Sequence, residues 1–295
     1  MKRVAVLMTC FNRKGKTIAC LSSLEQSHSM AKSDIDIEIF LTDDGCTDGT
    51  SEAINKLNLK FPIFIQKGDG QLFWNGGMIV AWKAALERGG FDGYLWLNDD
   101  SIILPDFWND LSVADEVSIS QYGKRGIYVG STRDMDDGSF TYGGFNFINK
   151  WTLKDEFIHP NHKDFQPCQC AHGNITYISQ DVVDKMGIFY DGYIHGAGDH
   201  DYTYRAYKKG FPILIMPNYA GECENDHLKK EINVSEMTLK QRWAYFEHPL
   251  GLNMHNTLLF QKRNFPYRYP FVLFMMVGKL FFPKFSFYLY KYLRK

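Results

Sequence analysis

Net charge is almost absent from this sequence: 33 Lys and Arg face 34 Asp and Glu, leaving −1 at neutral pH. So balanced a chain has no bulk electrostatic reason to hold nucleic acid. Long apolar runs are missing too. The tract Phe271-Val272-Leu273-Phe274-Met275-Met276-Val277 is too short and too interrupted to span a bilayer. Met1-Lys2-Arg3 leads straight into a strand of about six residues, so no secretory leader is expected and the cytoplasm is the expected compartment. Cysteine is sparse: there are six, and Cys168 and Cys170 are spaced C-x-C, not the C-x2-C usual for zinc. They read as reduced thiols. The glycine-rich stretches Gly68-Asp69-Gly70 and Trp74-Asn75-Gly76-Gly77 lack the Gly-Lys-Ser/Thr ending of a P-loop.

What is present is an alternation of strands and helices. The apolar run 3–8 predicts a first strand, and Ile18, Leu21, Leu24 and Glu25 then repeat at helical spacing. Residues 35–41 predict a second strand, with Thr50 or Ser51 as the N-cap of the next helix. Residues 63–65 read as a third strand. Residues 75–88 read as a helix stopped by Gly89-Gly90, and residues 93–97 as a buried strand. This order means βαβ units and a mostly parallel sheet, whose ligands bind beyond the carboxyl ends of the strands. Thr9 to Asn12, Asp43-Asp44 and Asn98-Asp99-Asp100 all fall at such ends.

Each cluster has its own chemistry. Carboxylates where a buried strand runs out suit a hard divalent cation, Mg2+ or Mn2+, shared with substrate phosphates. Asp43 and Asp44 fit turn chemistry before a helix, or hydrogen bonds to a ligand. Asn75, at the start of a helix and followed by Gly76, permits close approach of a diphosphate. Further along, Asp199 can cap a helix, while Asp201 and Arg205 are four apart and can pair on one face.

These residues resemble glycosyltransferase family 2 with the GT-A fold, the class that includes bacterial rhamnosyl- and other polysaccharide glycosyltransferases. Thr9-Cys10-Phe11-Asn12-Arg13 resembles the family's T-x-[YF]-N-R turn. Asp43-Asp44-Gly45-Cys46-Thr47-Asp48-Gly49-Thr50 is similar to its DDGSTDGT signature, with Cys46 where Ser is usual. Asn98-Asp99-Asp100 resembles its DxD metal motif, with Asn first, and Gly196-Ala197-Gly198-Asp199-His200-Asp201 with Arg205 looks like its acceptor-side motif. The resemblance spans about residues 1 to 215. It implies a nucleotide-sugar donor, UDP- or dTDP-linked, held by Thr9, Phe11, Asn12, Asp43, Asp44, Asn75, Gly76, Asn98 and Asp99. It implies a metal on Asp100, with His227 as a further ligand, because family members often place a His after the last sheet strand. It implies Asp199 as the base of an inverting single displacement. Gly173, Asn174, His195 and Asp201 are placed on the acceptor side.

The implied architecture is α/β: a GT-A, Rossmann-like mixed and mostly parallel sheet flanked by helices, with a C-terminal helical tail. The catalytic domain is expected over 1–230, its donor half about 1–105 and its acceptor half about 106–230. A helical extension follows over 231–295. No acidic residue follows Glu247, and eight basic ones from Lys262 on are interleaved with aromatics. Such a tail suits an anionic membrane surface or packing on protein. The expected role is sugar transfer to a saccharide or lipid-linked saccharide in bacterial surface polysaccharide synthesis, at the inner membrane face. The alternatives are a nucleotidyltransferase, whose basic glycine-rich signature residues 9–16 do not supply, and a non-catalytic sugar- or nucleotide-binding member.

Overall fold

The structure is a computed structural model and describes residues 2–225 and 234–284. β1 (Arg3–Cys10), α1 (Lys14–Met30), β2 (Asp36–Asp43), α2 (Thr50–Lys56), β3 (Ile63–Lys67), α3 (Phe73–Arg88) and β4 (Gly93–Leu97) form successive crossovers. Their strands lie parallel in the order β3-β2-β1-β4. The first strand shows why it reads as continuously apolar. Val4, Val6 and Met8 pack with α1 on one side, while Ala5 and Leu7 pack with α3 on the other. Both faces are covered, as parallel sheets require.

The second half departs from a purely parallel plan. β5 (Ile102–Ile103), α4 (Pro105–Tyr122), β6 (Ile127–Arg133), β7 (Gly144–Asn149), β8 (Lys154–Phe157), β9 (Gln166–Pro167), β10 (Cys170–Ala171) and β11 (Ile175–Ser179) follow. Then come α5 (Gln180–Met186), α6 (Gly198–Lys208) and β12 (Ile213–Glu222). β11 inserts antiparallel between β4 and β6, and β12 returns parallel to β6. The large sheet runs β3-β2-β1-β4-β11-β6-β12-β5, with β9 on β12, and β10-β7-β8 form a small second sheet. The carboxyl ends of β1, β2, β4 and β12 and the amino end of β11 thereby share one edge.

Close approach of α3 fixes that edge. A Cβ on Gly77 would stand 2.1 Å from Thr9 Oγ1, so only glycine lets the helix press onto the end of β1. Behind it Trp82 packs among Tyr94, Trp96, Phe189 and Tyr202.

The C-terminal helices are α7 (Leu239–Glu247), α8 (Met254–Asn264) and α9 (Tyr269–Phe281). α8 is part of the core: Phe260 and Phe265 bury against Phe145, Phe147 and Tyr204. Among the described residues, no helix is long and apolar enough to cross a membrane.

Candidate functional site

The turn after β2 is a tightly bonded cradle. Asp43 is 1 % exposed and Asp44 3 %. Asp43 Oδ1 accepts the Cys46 N–H at 2.7 Å, and its Oδ2 accepts from Lys67 Nζ at 2.6 Å and from the Ser51 hydroxyl. Burial pushes Asp43 up, but the Lys67 ammonium and the Ser51 and Cys46 bonds outweigh it and bring the carboxyl down to about 2. Asp44 takes the N–H of Gly70 at 2.9 Å and of Phe73 at 3.0 Å. The expected cap at Thr50 or Ser51 is not used. Gly49, at φ +79°, precedes the helix, which leaves the Ser51 hydroxyl for Asp43. Asn12 accepts the Thr47 N–H at 2.7 Å, stitching the turn after β1 to the loop after β2. Phe11, 51 % exposed, stands near Gly70 at the mouth of this cradle.

Beyond β4 the triplet divides its labour. Asn98 Oδ1 accepts the Trp74 indole N–H at 2.7 Å. Its neutral side chain accepts that bond without adding a third charge beside Asp99 and Asp100. Asp99 is buried and accepts from Thr17 Oγ1 at 3.2 Å. Burial, then the neighbouring Asp100 charge, raises its pKa to about 6 against the pull of Arg13. Arg13 Nη1 lies 2.8 Å from Asp100 Oδ2 and 3.5 Å from Asp99 Oδ1. A cation thus already stands on the two carboxylates, and their oxygen-only donor set fits a hard divalent ion. His227, the expected further ligand, lies outside the described residues.

Across the cleft, Asp199 does not cap α6. Ala197, at φ +61°, holds the cap position, and the carboxylate instead accepts N–H bonds from Gly173 at 2.9 Å and His200 at 2.8 Å. Each oxygen keeps a further lone pair, and the side chain is 14 % exposed. Gly173 is wedged: a Cβ there would meet Trp74 Cζ2 at 2.9 Å and Asp199 Cβ at 3.3 Å. The next residue, Asn174, accepts the Asn98 N–H at 2.9 Å. Residues 173–174 therefore link Asn98, which precedes the two carboxylates after β4, to Asp199.

Four expected residues, Asn75, Gly76, Asp201 and His195, have partners of their own. Asn75 is fully buried and donates to Tyr190 O and Tyr193 O, both at 3.0 Å, so it pins the loop before α6 instead of facing a diphosphate. The neighbouring Gly76 packs against Leu72. Asp201 is 1 % exposed and bound by Arg205, by Arg263 at 3.1 Å and by Asn264 at 2.7 Å. It anchors α8, because a carboxylate so buried needs those donors. His195 sets its ring against Phe73, and burial lowers its pKa despite the Asp199 charge. With Ala197, Leu250, Asn253, Asn256 and Thr257 it lines a hollow of about 290 Å³.

Sequence reasoning missed Trp74, Thr17, Lys67 and the Asn253–Asn256 pair that holds the His195 carbonyl. Arg13 was visible in the quoted turn, but not its partners 86 and 87 residues away.

This edge of the sheet can hold a cation, an exposed aromatic beside two carboxylates, and a further carboxylate across a cleft. The family model of glycosyl transferase family 2 matches residues 5–187. No curated protein matches the chain. Among solved structures, S. aureus TarS 1-349 superposes with a TM-score of 0.54 at 14 % identity, over 76 % of this chain and 60 % of that one. The chain thus spans less than two thirds of that relative. The same TarS fragment in complex with UDP-GlcNAc gives 0.54 at 13 %, over 90 % of this chain and 73 % of that one. A mannosyltransferase, PcManGT from Pyrobaculum calidifontis, in complex with GDP-Man and Mn2+, gives 0.52 at 15 %, over 99 % and 79 %. These likenesses establish a shared GT-A fold.

Proposed function

Because the chain belongs to glycosyl transferase family 2, we propose that it is an inverting glycosyltransferase that moves a sugar from a nucleotide-sugar donor to a saccharide or lipid-linked saccharide. The observation that carries this reading is the set of bonds around Asn98, the residue before Asp99 and Asp100: its side chain accepts from Trp74, its N–H donates to the Asn174 carbonyl, and the adjoining Gly173 N–H donates to Asp199. It holds a cation-binding pair and a carboxylate at fixed separation, as a displacement between two bound molecules needs. Neighbours of the same fold are solved with UDP, UDP-GlcNAc and GDP-Man, which favours a nucleotide-diphosphate sugar, with UDP or dTDP as the first candidates.

In this reading Phe11 stacks on the nucleobase, and Asp43 and Asp44 accept from base and ribose through their remaining lone pairs. Thr9 and Asn12 shape that pocket. Asp99 and Asp100 hold Mg2+ or Mn2+, which supplies charge neutralisation for the departing diphosphate. Arg13 yields its place on the two carboxylates when that ion binds. Asp199 takes the proton of the acceptor hydroxyl as its oxygen attacks the anomeric carbon, and the attack from the opposite face inverts that carbon. Gly173 and Asn174 orient Asp199, and the hollow beside His195 receives the acceptor.

The tail fits a membrane-linked acceptor. On α9 and just beyond it, Phe271, Phe274, Phe281 and Phe282 are 48–67 % exposed, with Lys279 and Lys284 interleaved. An apolar stripe edged by cations suits an anionic leaflet. We place the enzyme on the inner membrane face, in surface polysaccharide synthesis. The test is release of nucleoside diphosphate from a panel of UDP-, dTDP- and GDP-sugars, with and without Mn2+, by wild type and Asp199→Asn. One donor turned over by wild type alone supports the reading. Equal turnover by the variant removes Asp199 as the base.

A further inference from the structure

The cysteine that stands in the signature loop has a partner. Cys10 Sγ and Cys46 Sγ are 3.9 Å apart. Cys10 ends β1 in register with Asp43 on β2, and the turn through Gly45, at φ +76°, brings Cys46 back over both. The two sulfurs and a carboxylate oxygen of Asp43 all lie within 4.8 Å of one another. A tetrahedral zinc with Zn–S bonds of about 2.3 Å spaces its sulfurs about 3.8 Å apart. A disulfide would need the same sulfurs to close to about 2.05 Å. The separation, that of a thiol–thiol hydrogen bond in this structure, also matches a metal edge.

We propose that Cys10, Cys46 and Asp43 form a binding site for a soft divalent cation, Zn2+ or Cd2+, with a fourth position open to water. Thiolate ligands select such ions, whereas Mg2+ and Mn2+ prefer the all-oxygen pair Asp99 and Asp100. Partly exposed Cys46 gives the ion its entry, and Cys10 is 2 % exposed. Lys67 and Ser51 hold Asp43 Oδ2, while Oδ1 accepts the Cys46 N–H and has a second lone pair that can face a metal. Lys67 also faces the site and opposes the incoming charge, which loss of the two thiol protons offsets. Burial keeps both thiols protonated, so binding releases two protons and tightens with pH. The functional consequence rests on the donor reading above. A cation that occupies Asp43 removes an acceptor from the nucleobase, so soft metals compete with the donor while Mg2+ and Mn2+ do not.

The test is titration of the reduced full-length protein with Cd2+, following sulfur-to-metal charge-transfer absorption and proton release. The expected result is one saturable Cd2+ site releasing two protons. It is lost in Cys46→Ser and in Cys10→Ala, retained in Cys223→Ser, and displaced by Zn2+ but not by Mg2+. Cys46→Ser carries the residue usual in the family's signature, so it keeps the proposal testable should Cys10→Ala misfold. No sulfur-to-metal band in wild type, or an undiminished band in Cys46→Ser, overturns the site. A band lost as expected, with nucleotide affinity unaffected by saturating Zn2+, upholds the site and refutes placement of the nucleobase on Asp43.

Discussion

Asp99 carries a measurable conflict between stability and function. Its pKa is raised from 3.8 to about 6, first by burial and then by the Asp100 charge. The unfolded chain gives up this proton at lower pH than the folded one. Stability therefore falls as pH rises from about 4 to about 6 and levels off above. Two-state linkage puts the penalty at about 2 kcal/mol at pH 5 and about 3 kcal/mol at pH 7.5. Asp99→Asn keeps the shape and an acceptor for Thr17 but removes the charge. The variant is expected to gain about 1 kcal/mol on wild type between pH 5 and pH 7.5, measured by urea unfolding in chelator. Mn2+ should then restore wild type more than the variant, because the ion offsets a charge only wild type has. A stability difference that does not change with pH would refute the argument, as would a variant less stable at pH 7.5 than at pH 5 relative to wild type.

Other variants test other links. Gly173→Ala places a Cβ 2.9 Å from Trp74 and 3.3 Å from Asp199; transfer should fall at least about tenfold while nucleotide affinity holds, and a drop in affinity alone would contradict the link from Asn98 to Asp199. Asp201→Ala strands Arg263 and Asn264 and should cost about 3 kcal/mol in thermal unfolding, whereas a loss below about 1 kcal/mol would mean α8 is anchored elsewhere. Phe274→Ser with Phe281→Ser should release the protein from anionic vesicles in sedimentation without changing its melting temperature; unchanged co-sedimentation would sink the membrane role of α9. Trp74→Phe removes the indole donor to Asn98 and the ring edge beside Gly173, and should lower kcat more than it raises the donor KM.

The first half of the chain was legible because its signals are local. Apolar runs ending in polar clusters located β1, β2 and β4, and the sheet edge followed from βαβ order alone. β2 and β3 each run two residues further than their apolar cores, since Thr42-Asp43 and Gln66-Lys67 continue the ladder with polar side chains. The second half was less legible because its contacts are distant in sequence. Nothing near Asp201 signals Arg263, 62 residues on, and nothing near Asn98 signals the indole of Trp74. Asn75 looked like a diphosphate ligand from its place at a helix start, but the loop at Tyr190 and Tyr193 comes from the other half of the chain and claims its amide. The insertion of antiparallel β11 into the sheet, which sets Gly173 and Asn174 beside Asn98, is equally a property of the whole fold.

The central claim is that one edge of this sheet binds a nucleotide through a metal held by Asp99 and Asp100. Isothermal calorimetry of the full chain with UDP, dTDP and GDP, with and without Mn2+, beside Asp100→Ala, tests it most directly. The account predicts that one nucleotide binds in a Mn2+-dependent way and that the variant loses this binding. Binding of equal strength without Mn2+, or undiminished in Asp100→Ala, would contradict it.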